Sequence, residues 1–151
     1  MTRIALDSNV LAYFLGVDRH PDDGAKVVAV RALIRRLKAL TLVAPAQALG
    51  ETYNVMLKAG FERPAARDAV ERLRGGFDDA PTRTETLRAA LDLAAEHRLQ
   101  IWDAIILSAA AEAGCAILLS EDMQAGFSAG GVEVVDPFAS PPARRLARLL
   151  G

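Results

Sequence analysis

Cysteine and histidine are nearly missing from this chain, and their scarcity narrows the chemistry open to it. Cys115 is the single cysteine, so no intramolecular disulfide can form. His20 and His97 are the only histidines, which leaves no Cys/His spacing for zinc and neither histidine placed as an evident general base. Charge of one sign is not in excess either: 18 Lys and Arg stand against 19 Asp and Glu, for a formal net charge of −1. No global positive field would steer a polyanion, so any nucleic-acid binding must rest on local patches. Apolar runs are too short to span a bilayer. The N-terminal stretch has neither the basic region nor the small-residue cleavage site of a signal peptide, and the expected location is the cytoplasm. Internal repeats and low-complexity segments are absent as well.

What is present fits one ordinary globular domain. The chain has 151 residues, 52% of them hydrophobic and 25% charged, enough to bury a substantial core. Arg3 to Leu6 is a short apolar run ending in Asp7-Ser8-Asn9, the pattern of a central parallel strand. Asn9 to Leu15 reads as helix, with Gly16 as its stop. Asp22 and Asp23 precede a segment whose Val27, Val30, Leu33, Ile34 and Leu37 fall at helical spacing. A second strand is expected at Thr41 to Ala44, then helices from Pro45 to Gly60 and from Pro64 to Arg74, and a brief strand at Phe77 to Ala80. Thr82 and Glu85 have capping-box spacing and open a helix reaching about Arg98. Trp102 to Gly114 is apolar around most of its circumference, as a buried central helix should be. "CAILLS" and Val132 to Val135 supply two further strands. Strands alternating with helices predict a three-layer α/β/α fold around a parallel sheet of about four to five strands. The domain is expected to span residues 1–138. Residues 139–151 form a short basic helical tail whose leucines pack on the body or on a second subunit rather than on membrane.

Four acids stand at positions where such a fold concentrates ligands. Asp7 follows the first strand, Asp122 follows "AILLSE", Asp103 opens the most apolar helix, and Glu51 lies early in the helix after the second strand. Each has a plain structural explanation: Asp7 as a helix cap, Asp122 as a turn residue, Asp103 as a first-turn acid favoured by the helix dipole, Glu51 as the edge of an apolar face. Taken together they differ, because the carboxyl ends of parallel strands and the adjoining helix starts can meet at one edge. Clustered carboxylates repel and stay ionised together only beside a cation. Oxygen-only ligands suit Mg²⁺ or Mn²⁺.

"IALDSNVLAYFL", "ETYNVM", "WDAIILSAAAEAGCAILLSEDM" and "VEVVDPF" together resemble PIN-domain ribonucleases, and most of all the VapC toxins of bacterial toxin–antitoxin pairs. The likeness spans roughly residues 3–138, with Trp102 to Asp122 its most specific block. By position it implies that Asp7, Glu51, Asp103 and Asp122 form the acidic, metal-binding and catalytic cluster, with Asp7 and Asp103 as the most direct ligands. Ser8 or Asn9, and Ser120, match the small polar residues that support metal or phosphate, while Glu121 either adds a carboxylate or points into solvent. It further implies a Mg²⁺- or Mn²⁺-dependent endonuclease acting on single-stranded or looped RNA, a homodimer, and a cognate VapB-like antitoxin lying over the active-site groove.

RNA contacts are expected from three basic groups: Arg31, Arg35, Arg36 and Lys38; Arg63, Arg67, Arg72 and Arg74; and Arg144, Arg145 and Arg148 on the tail. Most of these also read as solvated helix faces. Tyr13, Phe14 and Tyr53 have the choice of base stacking or core. Rival enzyme classes fit poorly. A receiver domain needs a lysine after a late strand, and no lysine follows Lys58. A dehalogenase-type phosphatase needs Asp-x-Asp where this chain has Asp7-Ser8-Asn9, and a dinucleotide-binding domain needs a glycine-rich loop there. Two alternatives remain: a PIN nuclease in RNA maturation, and a PIN module that binds RNA or protein without catalysis.

Overall fold

A computed structural model describes residues 1–151. Six strands form one sheet: β1 (Arg3–Leu6), β2 (Thr41–Pro45), β3 (Asp78–Ala80), β4 (Ile117–Leu119), β5 (Ser128–Ala129) and β6 (Val132–Val135), in the order β3-β2-β1-β4-β6-β5. Every pairing is parallel except that of β5 with β6. The two-residue β5 is the strand beyond the expected number. Gly130 and Gly131, with φ of 59° and 82°, turn the chain from it into β6, and a strand that short carries no hydrophobic period.

Seven helices connect and flank the sheet: α1 (Ser8–Leu15), α2 (Asp23–Leu37), α3 (Ala46–Lys58), α4 (Arg63–Gly75), α5 (Thr84–His97), α6 (Ile101–Glu112) and α7 (Arg144–Leu150). The chain steps from β1 to β2 to β3 in one direction, then returns past β1 to β4. Right-handed crossovers therefore put α1 to α4 on one face and α5 with α6 on the other. The packing agrees: α1 rests on α2 and α3, α3 on α4, and α5 on α6.

Covering both faces explains the unbroken apolar strands. Ile4, Ala5, Leu6, Ile117, Leu118 and Leu119 are all fully buried. On α6 every residue from Ala104 to Ala110 is buried, as its all-round apolarity predicts. The N-terminal cap of α5 sits one residue later than its sequence pattern indicates. Thr86 Oγ1 accepts from the Arg83 N–H at 3.0 Å and donates to Glu112 Oε2 at 2.8 Å, so one hydroxyl both caps α5 and ties it to α6. The tail packs on the body: Leu146 is buried, Arg36 Nη2 donates to the Leu150 carbonyl at 3.1 Å and Arg145 Nη1 to the Ala116 carbonyl at 3.1 Å. No helix is long and apolar enough to cross a membrane.

Within α6, the Ser108 hydroxyl is buried with no hydrogen-bond partner. An unsatisfied buried hydroxyl is costly, and alanine fills nearly the same space. Ser108→Ala is expected to raise stability by about 1 kcal/mol, seen as a higher urea midpoint at unchanged m-value; a lower midpoint would show that the hydroxyl has a partner in solution.

Candidate active site

The order of the sheet reverses between β1 and β4, because the connection from β1 leaves towards β2 while β4 runs on towards β6. Such a switch point opens a crevice beyond the carboxyl ends of the two strands. Leu6 pairs with Leu119, so both strands end at the same level. The Asp7 N–H extends the ladder by donating to the Leu119 carbonyl at 2.9 Å. Asp7 and Ser120 consequently face each other across the crevice, and Ser120 Oγ donates to Asp7 Oδ2 at 2.7 Å.

Asp7 does two things at once. Its Oδ1 accepts the Ser8 N–H at 2.7 Å, capping α1, while Oδ2 faces the crevice. Asn9 forms the next bridge: Nδ2 donates to Asp122 Oδ2 at 3.1 Å and lies 3.5 Å from Asp7 Oδ2, and Oδ1 accepts the Glu121 N–H at 3.2 Å. That backbone donor sets which way the Asn9 amide points. Met123 N–H in turn donates to Ser120 Oγ at 3.2 Å.

Glu51 enters from the second turn of α3 and Asp103 from the first turn of α6. The dipole of α6 favours an anion at that position. Asp7 is 3% exposed, and burial pushes its carboxyl pKa above the ordinary range, with the Asp122 charge adding and the donors from Ser120, Ser8 and Asn9 opposing. Burial also raises Glu51 to about 7, helped by the charges of Asp7 and Asp103. Asp103 is raised to about 6 by burial, then by Asp7 and Asp122. The structure thus brings Asp7, Glu51, Asp103 and Asp122 within electrostatic reach of one another, with Ser8, Asn9 and Ser120 among them.

Glu121 is directed elsewhere. Tyr13 Oη donates to its Oε1 at 2.8 Å, and Lys26 Nζ on α2 pairs with its Oε2. The same ammonium lies 5.7 Å from the centre of the Tyr13 ring and 5.5 Å from that of Phe138. Glu121 is therefore a strut between α2 and the loop after β4 and adds no free carboxylate to the cluster. The Tyr13 hydroxyl is taken up by this strut, and Phe14 packs edge-on against Phe77.

Four mutually repelling carboxylates with no Cys or His among them suit a hard divalent cation such as Mg²⁺ or Mn²⁺. The acids surround the crevice without three of them closing on a common point. The chemistry of the donor set nevertheless fits such an ion, since raised carboxyl pKa values are what a shared positive charge reverses.

A cavity next to the crevice, sharing Asp122 of the four acids, is not foreseen by the sequence. It measures about 100 Å³ and is lined by Ser8, Asn9 and Asp122 on one side and by Arg19, His20 and Asp23 on the other. His20, which sequence spacing leaves unplaced, lines this cavity with Asp122 and Asp23. A loop between helices has no periodicity to reveal this. The largest concavity, about 490 Å³, is lined by Thr41, Leu42 and Asp78 at the amino ends of β2 and β3, the opposite edge of the sheet from the acids.

Comparison with known proteins agrees with this geometry. The PIN domain family model matches residues 4–128, and the chain belongs to the PIN domain family. No curated protein matches it in sequence. Among solved structures it is similar to VapC20 of Mycobacterium tuberculosis, described as a sarcin–ricin loop cleaving toxin, at 18% identity and a TM-score of 0.61 over 79% of this chain and 89% of that one. It is also similar to a chain of a toxin–antitoxin complex from Klebsiella pneumoniae, at 20% identity and a TM-score of 0.61 over 89% and 98% of the two chains. VapBC2 of Rickettsia felis, bound to a DNA fragment from its promoter, gives 15% identity and a TM-score of 0.60 over 80% and 89%. At these identities the likeness is one of fold.

Two predictions follow from the electrostatics. A carboxyl with a folded pKa above its unfolded value destabilises the fold above that folded pKa and costs nothing below the unfolded one. With chelator present, stability is expected to fall as pH rises from about 4 towards 7, and Glu51→Gln to flatten that fall. Melting curves against pH decide it; parallel curves for the two proteins would show that Glu51 is not held in the cluster. Lys26→Met frees one side of the strut and is expected to speed hydrogen exchange at the Glu121 and Met123 amides while leaving the Asp7 amide protected.

Proposed function

We propose that this protein is a divalent-metal-dependent endoribonuclease that hydrolyses phosphodiester bonds of single-stranded or looped RNA, and the toxin of a type II toxin–antitoxin pair. The observation that carries the reading is the set of four carboxylates at the switch point, where burial first and the neighbouring acids second push Glu51 up to about 7 and Asp103 up to about 6. In this reading Asp7 and Asp103 hold Mg²⁺ or Mn²⁺ most directly, and Glu51 and Asp122 complete its shell. The ion, when bound, supplies water activation and neutralises charge on the leaving oxygen.

The chain's own residues do the positioning. The Ser8 N–H and Ser120 hydroxyl fix the Asp7 carboxylate from two sides, so its orientation does not have to be found anew with each substrate. Asn9 holds Asp122 through Nδ2. Burial of the crevice strengthens every charge interaction inside it. The toxin assignment draws on the resemblance in sequence and on neighbours in fold that are described as toxins or toxin–antitoxin complexes. It carries with it a VapB-like antitoxin as partner, a homodimer and a cytoplasmic location.

The test is cleavage of a labelled, structured RNA by protein stripped of any partner, with Mg²⁺, with Mn²⁺ and with excess EDTA. Cleavage is expected with either ion and lost with EDTA, and Asp103→Asn is expected to reduce the rate on the order of a hundredfold or more. Cleavage that survives EDTA or Asp103→Asn would overturn the metal mechanism. Binding of RNA without cleavage under any condition would favour the non-catalytic module instead.

A further inference from the structure

The site just described is acidic, while the substrate proposed for it is a polyanion. Phosphates next to the one cleaved therefore need cations close to the crevice. Several of the basic residues are engaged elsewhere. Lys26 is paired with Glu121, Arg31 Nε donates to the Phe14 carbonyl, and Arg36 holds the Leu150 carbonyl. Arg63 and Arg67 line a separate cavity with Leu49 and Tyr53. Those two positions lie two residues from Glu51, about 200° around α3 and so on its opposite side.

Arg19 is different. It is exposed, its side chain has no hydrogen-bond or ion-pair partner in the protein, and it lines the small cavity that Ser8, Asn9 and Asp122 close from the other side. The loop that carries it is held in place. The N–H groups of Arg19 and His20 donate to Asp23 Oδ2 at 3.0 and 3.1 Å, Asp23 is 5% exposed, and Val17 anchors the loop at 3%. A held turn thus presents a free guanidinium and an imidazole to the small cavity that adjoins the crevice at Asp122. At about 100 Å³ the cavity is well below the size of a nucleoside-type pocket. Guanidinium is the side chain best matched to phosphate oxygens. Asp122 on the facing wall is held by Asn9 Nδ2 at 3.1 Å.

We propose that Arg19 and His20, on the loop between α1 and α2, form a phosphate-binding site in the cavity that adjoins the crevice at Asp122, and take a substrate phosphate adjacent to the one cleaved. This rests on the nuclease reading above. Arg19 provides the charge and the bidentate hydrogen bonds, and His20 adds an N–H donor from the neighbouring position.

The test uses fluorescence anisotropy with a labelled single-stranded oligoribonucleotide and the full-length protein carrying Asp103→Asn, over a range of salt. Adding Arg19→Ala is expected to weaken binding about tenfold and to lower the slope of log affinity against log salt by about 0.7. Arg19→Lys is expected to keep the slope and lose part of the affinity. Arg88→Ala, an exposed arginine on α5 across the sheet, is expected to change neither. In the protein with Asp103 intact, Arg19→Ala is expected to raise KM for RNA cleavage and leave kcat within a few-fold. If the parent cuts and binds RNA while Arg19→Ala behaves like Arg88→Ala, this assignment fails and the nuclease reading stands. If Arg19→Ala leaves RNA binding untouched but releases a co-purifying protein, the loop is a partner contact and the assignment fails again. A parent protein that neither binds nor cuts RNA removes both.

Discussion

The pairing of Leu6 with Leu119 is the constraint from which the rest of the site follows. Two parallel strands ending at one level bring Asp7 opposite Ser120, and the hydrogen bond between them joins the start of the chain to a loop more than a hundred residues later. Shifted by one residue, β1 would turn every core side chain to the other face. Asp7 would then leave the crevice while Ile4, Ala5 and Leu6 met the wrong helix layer. The core and the site are therefore specified by the same register, and neither can drift without the other.

That coupling has an electrostatic cost, which the fold carries at the crevice. Of the large core, Asp7 is the one carboxylate at the sheet's centre, and it is buried with a hydroxyl and a backbone N–H as its closest donors. Asp23, the other buried acid, accepts two backbone N–H groups and ends up below its ordinary pKa although burial works the other way. The two aspartates show opposite outcomes of the same burial. One is satisfied by the protein and serves structure, and the other is left with an unmet preference for positive charge.

Much of this was legible in the sequence, for identifiable reasons. The central strands show as unbroken apolar runs because both their faces are covered, and the acids show because they interrupt those runs at strand ends. β5 was not legible, since two residues next to a glycine pair have no pattern. The cap of α5 moved from Thr82 to a bond made by Thr86, which depends on where the extended backbone of Arg83 turns helical. Glu121 and Asp122 are neighbours of similar chemistry, and sequence cannot choose between them. The choice is made by Lys26, 95 residues away, and by the Tyr13 hydroxyl. Arg19 and His20 were not legible because loops carry no periodicity, while among the basic helix residues that do stand out in sequence Arg31, Arg36 and Arg145 bond backbone carbonyls and Arg63 and Arg67 line a separate cavity.

The all-round burial of α6 has a mechanical meaning for the residue at its start. A helix enclosed from Ala104 to Ala110 is packed on all sides, so Asp103 is mounted on the most enclosed helix of the molecule. Asp122 and Arg19 stand on loops, each fixed by a few hydrogen bonds. The crevice is in this sense a vice with one jaw cast into the frame and the other pinned by hydrogen bonds, so that one acid is held by packing and the other by polar contacts.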